Sequence, residues 1–148
     1  MSAGPVLVTG AAGLIGGWLR GGLPERGWAV RSLDVVPIDE PRAGEEHRTA
    51  DVTDLAAMVA ATAGAAAVVH LAGIATESTW PAISHSNIEG TYCALEAARL
   101  AGVPRVVLAS SNHAAGYTPR PDRGLLTEAD APHRPLSLIH ISEPTRPY

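Results

Sequence analysis

Three glycines, Gly10, Gly13 and Gly16, followed by an acid at Asp34, are the residues whose types and spacing best suit a chemical task. They come straight after a short apolar run and open a helical pattern. Gly10 permits a tight turn, Gly13 lets the backbone approach a pyrophosphate, and Gly16 lets a helix lie close against a strand. The start of that helix offers N–H groups and the positive end of its dipole to phosphate. Asp34 closes the next strand pattern, where a carboxylate accepts hydrogen bonds from ribose hydroxyls and repels the extra phosphate of NADP. The expected cofactor is therefore NAD. Arg31, in the same strand, lies short of its end and away from the usual place of a phosphate clamp.

The elements that must position these residues alternate along the chain. Residues 5–9 read as a buried strand, and residues 14–26 have helical spacing through Leu14, Ile15, Trp18, Leu19 and Leu23. A second strand covers 28–33 and ends at Asp34; a weak one follows near 46–50. Thr53 is expected to cap a helix over 54–62. A clear strand spans 66–71, and one long helix runs from 80 to 101, stopped by Gly102 and Pro104. A fifth strand spans 105–110. This order predicts an α/β fold, a Rossmann-type doubly wound parallel sheet in strand order 3-2-1-4-5, truncated after the fifth strand. Residues 1–135 form one incomplete NAD-binding domain on this reading.

Composition narrows the class. The chain has 148 residues, 46% hydrophobic and 18% charged, with a net charge of −4. That suits one globular domain. No segment concentrates arginine, so nucleic acid is not an expected partner, and no apolar run is long enough to suggest a membrane span. A single cysteine, Cys93, excludes an internal disulfide framework and suits a cytoplasmic protein. Residues 1–5 carry no basic run, so no signal peptide is expected. No Cys/His/Asp cluster has zinc spacing, and no metal is expected. His70, on an apolar strand, reads as a buried structural histidine, while His47 and Cys93 suggest no role.

Five motifs in order resemble the extended short-chain dehydrogenase/reductase family, its NAD-dependent epimerase/dehydratase group. Thr9-Gly10-Ala11-Ala12-Gly13-Leu14-Ile15-Gly16 is similar to that family's TGxxGxxG. Asp51-Val52-Thr53-Asp54 resembles its acidic element beside the adenine, and His70-Leu71-Ala72-Gly73 the element after the fourth strand. Asn87-x-x-Gly90-Thr91 resembles the central helix, and Ser110-Ser111 the end of the fifth strand. The resemblance implies cofactor contacts at Gly10, Gly13, Leu14, Ile15, Gly16 and Asp34. It implies further ones at Asp51, Val52, Leu71, Ala72, Gly73, Asn87 and Ser110. Ser111 is implied as the catalytic serine that hydrogen-bonds the reacting hydroxyl.

Ser110-Ser111-Asn112-His113, followed by Gly116-Tyr117, is similar to the uronate dehydrogenase branch, which oxidises hexuronic acids to aldarolactones. That implies substrate contacts at Ser111, Asn112 and His113, and at Ala75, where the branch tends to carry a serine. A sugar or sugar-acid substrate is thus expected for the intact parent, which is itself expected to be a homo-oligomer. The alternatives are a sugar-nucleotide epimerase or dehydratase and a non-catalytic NAD-binding protein.

The family's reaction uses a Tyr-x-x-x-Lys pair, in which the ammonium lowers the tyrosine pKa. This sequence has no lysine; all eleven basic residues are arginine. Residues 136–148 resemble translated sequencing adapter and are expected to be a non-native tail. The expectation is an inactive N-terminal portion of an oxidoreductase.

Overall fold

A computed structural model describes residues 4–111 and Thr127. Asn112, His113, Tyr117 and the tail expected at 136–148 lie outside the described residues. The sheet is wholly parallel and runs β3 (Glu46–Thr49), β2 (Val30–Asp34), β1 (Val6–Thr9), β4 (Ala67–His70), β5 (Val106–Leu108), the order read from the sequence.

Strand β1 (Val6–Thr9) lies at its centre, with all four residues buried, as a parallel strand covered on both faces requires. It pairs with β2 (Val30–Asp34) in the register Val6↔Val30 to Thr9↔Leu33. On its other side β4 (Ala67–His70) pairs from Val6↔Ala67 to Thr9↔His70. The edges are β3 (Glu46–Thr49), largely exposed and charged, and β5 (Val106–Leu108), whose Val107 is 49% exposed.

Alternation along the strands divides the core. Leu7, Leu33 and Val68 face helices α2 (Leu55–Thr62) and α4 (Gly90–Leu100), where Met58, Cys93, Ala94 and Ala97 close the layer. Val6, Val8 and Val30 face the opposite side, against Leu19 and Leu23.

Several expected boundaries differ: β2 begins at Val30 rather than 28, and β5 covers Val106–Leu108 rather than 105–110. Helix α1 (Leu14–Gly22) stops short of residue 26, and Pro24–Arg26 form a separate 3-10 turn. Pro24 has no N–H to continue the ladder, and the two glycines before Leu23 favour the stop. The cap of α2 is Asp54, not Thr53: its carboxylate accepts the Ala57 N–H at 3.0 Å. The long helix is a continuous helical run of three parts, α3 (Trp80–Ile83), a wider π turn (Ser84–Glu89) and α4.

Two arginines tie the layers together. Arg20 and Glu45 form a bidentate pair at 2.5 and 2.9 Å, clamping the β2–β3 loop to α1. Burial alone would raise the Glu45 carboxyl, but hydrogen bonds from Arg20, the Arg42 N–H and Ser32 outweigh it and hold it at about 2. Arg31 donates to the Ala61 and Ala63 carbonyls at 2.7 and 2.8 Å, satisfying the end of α2, and to Glu46 at 2.6 Å. Its guanidinium is thus engaged at the end of α2 rather than at a cofactor phosphate.

His47, for which the sequence suggests no role, organises the same loop. Its Nε2 accepts the Ile38 N–H at 3.2 Å, which places the proton on Nδ1, 3.0 Å from the Ser32 hydroxyl. Cys93 is buried and donates to the Thr53 carbonyl at 3.4 Å.

Candidate functional site: a two-part cleft at the strand ends

Parallel strands deliver their C-terminal ends to one edge of the sheet, and the chain departs in opposite directions after β1 and β4. A crevice opens at that switch point. It has two adjoining parts of about 500 and 460 Å³ that share Gly10, Gly13 and the Leu71–Ile74 segment. Each part falls within the size range of small-molecule sites.

The turn between β1 and α1 forms the floor. Gly10 has φ +66°, and a Cβ there would lie 2.7 Å from the Ala72 nitrogen. At Gly16 a Cβ would collide with the Gly10 carbonyl oxygen and with Ala11. These two glycines let β1, α1 and the chain after β4 converge. Gly13, the α1 N-cap, has no side chain to satisfy the first-turn amides, and that turn carries no acidic residue. An anion therefore meets donors and the positive end of α1 here.

The smaller part is walled by Asp34, Val35, Val36, Asp51 and Val52. Asp34 is 9% exposed; its Oδ2 accepts the Ala12 N–H and its Oδ1 the Val36 N–H, both at 2.9 Å. Asp51 Oδ1 accepts both the N–H (2.9 Å) and the hydroxyl (2.8 Å) of Thr53. The Thr53 N–H and, against the cost of burial, the Thr53 hydroxyl and His85 hold the Asp51 carboxyl below its usual range.

The larger part extends from Leu14 and Ile15 across Ala75 and Asn87 to Ser110 and Ser111. Asn87 accepts the Ile74 N–H at 2.7 Å and donates to the Ile74 carbonyl at 3.0 Å, bracing the loop after β4. Its position within the π turn aims it there, in keeping with the use of such turns at functional sites.

Beneath this part His70 is 4% exposed, and burial lowers its pKa to about 4. The Thr9 hydroxyl lies 2.8 Å from His70 Nδ1 and accepts the Leu71 and Ala72 N–H groups at 3.3 and 3.4 Å. Its one proton is left for Nδ1, so the imidazole carries its own on Nε2, 3.5 Å from the Thr91 hydroxyl. His70 is a neutral structural link, as its apolar strand context suggests.

The structure thus gathers the sequence-predicted residues Gly10, Gly13, Leu14, Ile15, Gly16, Asp34, Asp51, Val52, Leu71, Ala72, Gly73, Ala75, Asn87, Ser110 and Ser111 around one cleft. Asn112 and His113 lie outside the described residues. Sequence reasoning missed Thr9, Ile74, His85 and Thr91 as individual site residues; Thr9, inside the glycine motif, and Thr91, at the end of the Asn87-x-x-Gly90-Thr91 motif, carried a signal, whereas Ile74 and His85 carried none. Among the described residues no group of three or more His, Cys, Asp or Glu is placed to hold a metal. None of their helices is long and apolar enough to cross a membrane.

Residues 6–142 match the NAD dependent epimerase/dehydratase family. The chain belongs to that family. The matched range extends past residue 135, the expected end of the domain. A uronate dehydrogenase from Pseudomonas putida is 39% identical over 140 residues, which cover 93% of this chain and 51% of that protein. A mutant uronate dehydrogenase from Agrobacterium tumefaciens, solved in complex with NAD, is 38% identical with a TM-score of 0.80; the match covers 95% of this chain and 52% of that one. MoeE5, solved with UDP-glucuronic acid and NAD, is 33% identical with a TM-score of 0.82, covering 94% and 46%. The chain spans about half the length of the curated family relatives it matches.

Proposed function

We propose that this chain is the NAD-holding portion of a dehydrogenase that oxidises a hexuronate to its aldarolactone. The observation that carries the proposal is a single cleft joining the glycine turn and Asp34 at one end to Ser110 and Ser111 at the other. NAD fits the groups present. The turn at Gly13 presents α1 amides to a pyrophosphate. Asp34, fixed by two backbone N–H groups, presents a carboxylate to ribose hydroxyls, and Val35, Val36 and Val52 offer apolar walls to an adenine. When bound, NAD supplies the hydride acceptor. Ser111 donates a hydrogen bond to the reacting hydroxyl and orients it. Ala75 and the Asn112–His113 segment contact the sugar, and Ser110 and Asn87 shape the floor beneath it.

Removal of the hydroxyl proton needs a base that this sequence does not provide as the family's Tyr-x-x-x-Lys pair, since it contains no lysine. The chain by itself is therefore an NAD-binding portion without turnover, and the intact parent is the enzyme. A second reading, sugar-nucleotide chemistry, is supported by the relative solved with UDP-glucuronic acid.

The test is NAD reduction by a full-length protein containing residues 1–135, offered galacturonate, glucuronate or UDP-glucose. Reduction with the free uronates, lost in Ser111→Ala, supports the proposal. Activity on the UDP-sugar alone selects the second reading. Turnover by the 148-residue chain itself would overturn the assignment of an inactive portion.

A further inference from the structure

His85 has no part in the reading above, yet it bridges two walls of the smaller part of the cleft. Its Nε2 lies 3.2 Å from the Thr53 hydroxyl oxygen and 3.4 Å from Asp51 Oδ2. Its Nδ1 lies 3.1 Å from Glu89 Oε2. The Thr53 hydroxyl already donates to Asp51 Oδ1, so it faces His85 as an acceptor. All three neighbours accept. A neutral imidazole has one N–H and leaves one of its two carboxylate neighbours, Asp51 Oδ2 or Glu89 Oε2, without a donor from the ring; only the imidazolium donates from both ring nitrogens.

The connection matters because of where its ends lie. Asp51 and Val52 form one wall of this part, and Ser86, in the π turn beside His85, lines it from the opposite element. Asp51 and Glu89 face His85, and Asp54 stands nearby at the N-cap of α2. Among the described residues neither Asp51 nor Glu89 has another cationic partner. Loss of the His85 proton leaves the two carboxylates facing each other across the wall.

We propose that His85, as the imidazolium, is a positioning residue for the adenosine end of NAD, holding the Asp51 wall against the π turn so that NAD binds more tightly in mild acid than in mild alkali. The inference rests on the reading of the cleft as an NAD site. The hydrogen bond to Glu89 and, against the cost of burial, that to Asp51 raise the His85 pKa above its ordinary 6.5. The tight form therefore persists below that value and is lost as pH rises through the raised one.

The experiment is titration of the 148-residue chain with NAD and with ADP-ribose across this range, for the natural sequence, His85→Gln and His85→Arg. For an exposed charge cluster the Kd should rise about two- to five-fold between about pH 6 and pH 8.5. ADP-ribose should show the same slope. His85→Gln should bind weakly and without slope, and His85→Arg should bind tightly and without slope. A natural chain with no slope, a slope that survives in His85→Gln, a slope absent with ADP-ribose, or an Arg variant as weak as the Gln variant would each overturn the role of His85. Absence of NAD binding at every pH would overturn the cofactor reading itself, and the inference with it.

Discussion

The carboxylate of Asp34 accepts the Ala12 N–H at 2.9 Å, so the acid at the end of β2 also anchors the glycine turn after β1. Its other oxygen holds Val36 N–H at the same distance. Asp34→Asn replaces one acceptor by an NH2 that faces a backbone donor. The expected cost is about 1–3 kcal/mol in stability, read from urea unfolding. Both substitutions remove the charge, and Asp34→Ala removes the remaining acceptor as well. Its Kd for NAD should rise, and the ratio of NADP to NAD affinity should increase, because no carboxylate opposes the added phosphate. Calorimetric titration with both nucleotides measures this, and an unchanged ratio would sink the ribose assignment.

The glycines divide into fold and function. Gly10→Ala places a methyl group on a left-handed backbone and 2.7 Å from the Ala72 nitrogen. The expected loss is about 2–4 kcal/mol. At Gly13 a Cβ would meet only the Gly10 oxygen, at 3.2 Å, on an extended backbone. Gly13→Ala should change stability by about 1 kcal/mol or less, yet weaken NAD binding about ten-fold or more by holding the pyrophosphate off the turn. Parallel melting and binding curves separate the two, and equal behaviour of both variants would contradict the division.

His70 gives acid lability a defined window. Its folded pKa is about 4 against an ordinary 6.5, so the unfolded chain takes up the proton first. Its contribution is complete above pH 6.5 and declines as pH falls towards 4. The full span is on the order of 3 kcal/mol. His70→Asn keeps an acceptor near Thr9 but takes up no proton. Urea midpoints from pH 7 to pH 4 should fall less steeply in the variant than in the natural chain; parallel slopes would rule out His70 as the source.

Asn87 holds both the N–H and the carbonyl of Ile74. Asn87→Ala strands both groups, for about 1–3 kcal/mol, and loosens the loop that carries Ala75. Asn87→Asp keeps the acceptor but turns a carboxylate oxygen towards the Ile74 carbonyl, and should be no better. Hydrogen exchange at the Ile74 amide provides the readout, with faster exchange expected in both variants.

Much of the scaffold was legible because its signals are local. The apolar run before Gly10 and the strand ending at Asp34 are patterns of adjacent residues, and parallel pairing with right-handed crossovers leaves few sheet orders. The helix ends were less legible: Asp54 rather than Thr53 caps α2, because the Thr53 hydroxyl is drawn to Asp51 instead. The π turn at Ser84–Glu89 is invisible to periodicity, since a π turn inside a continuous helical run leaves most of the apolar spacing intact.

The sequence by itself determined the parallel order, the glycine turn and the acid that faces it, since these depend on backbone geometry and on spacing along one strand–turn–helix unit. Only the tertiary structure decided what the histidines do. His70 is neutral because β1 and α4 enclose it beside Thr9 and Thr91, His47 gives its Nε2 to Ile38, and His85 meets two carboxylates from separate elements. A histidine's protonation is set by the acceptors and the water around it, and those neighbours are up to 61 residues away in the chain.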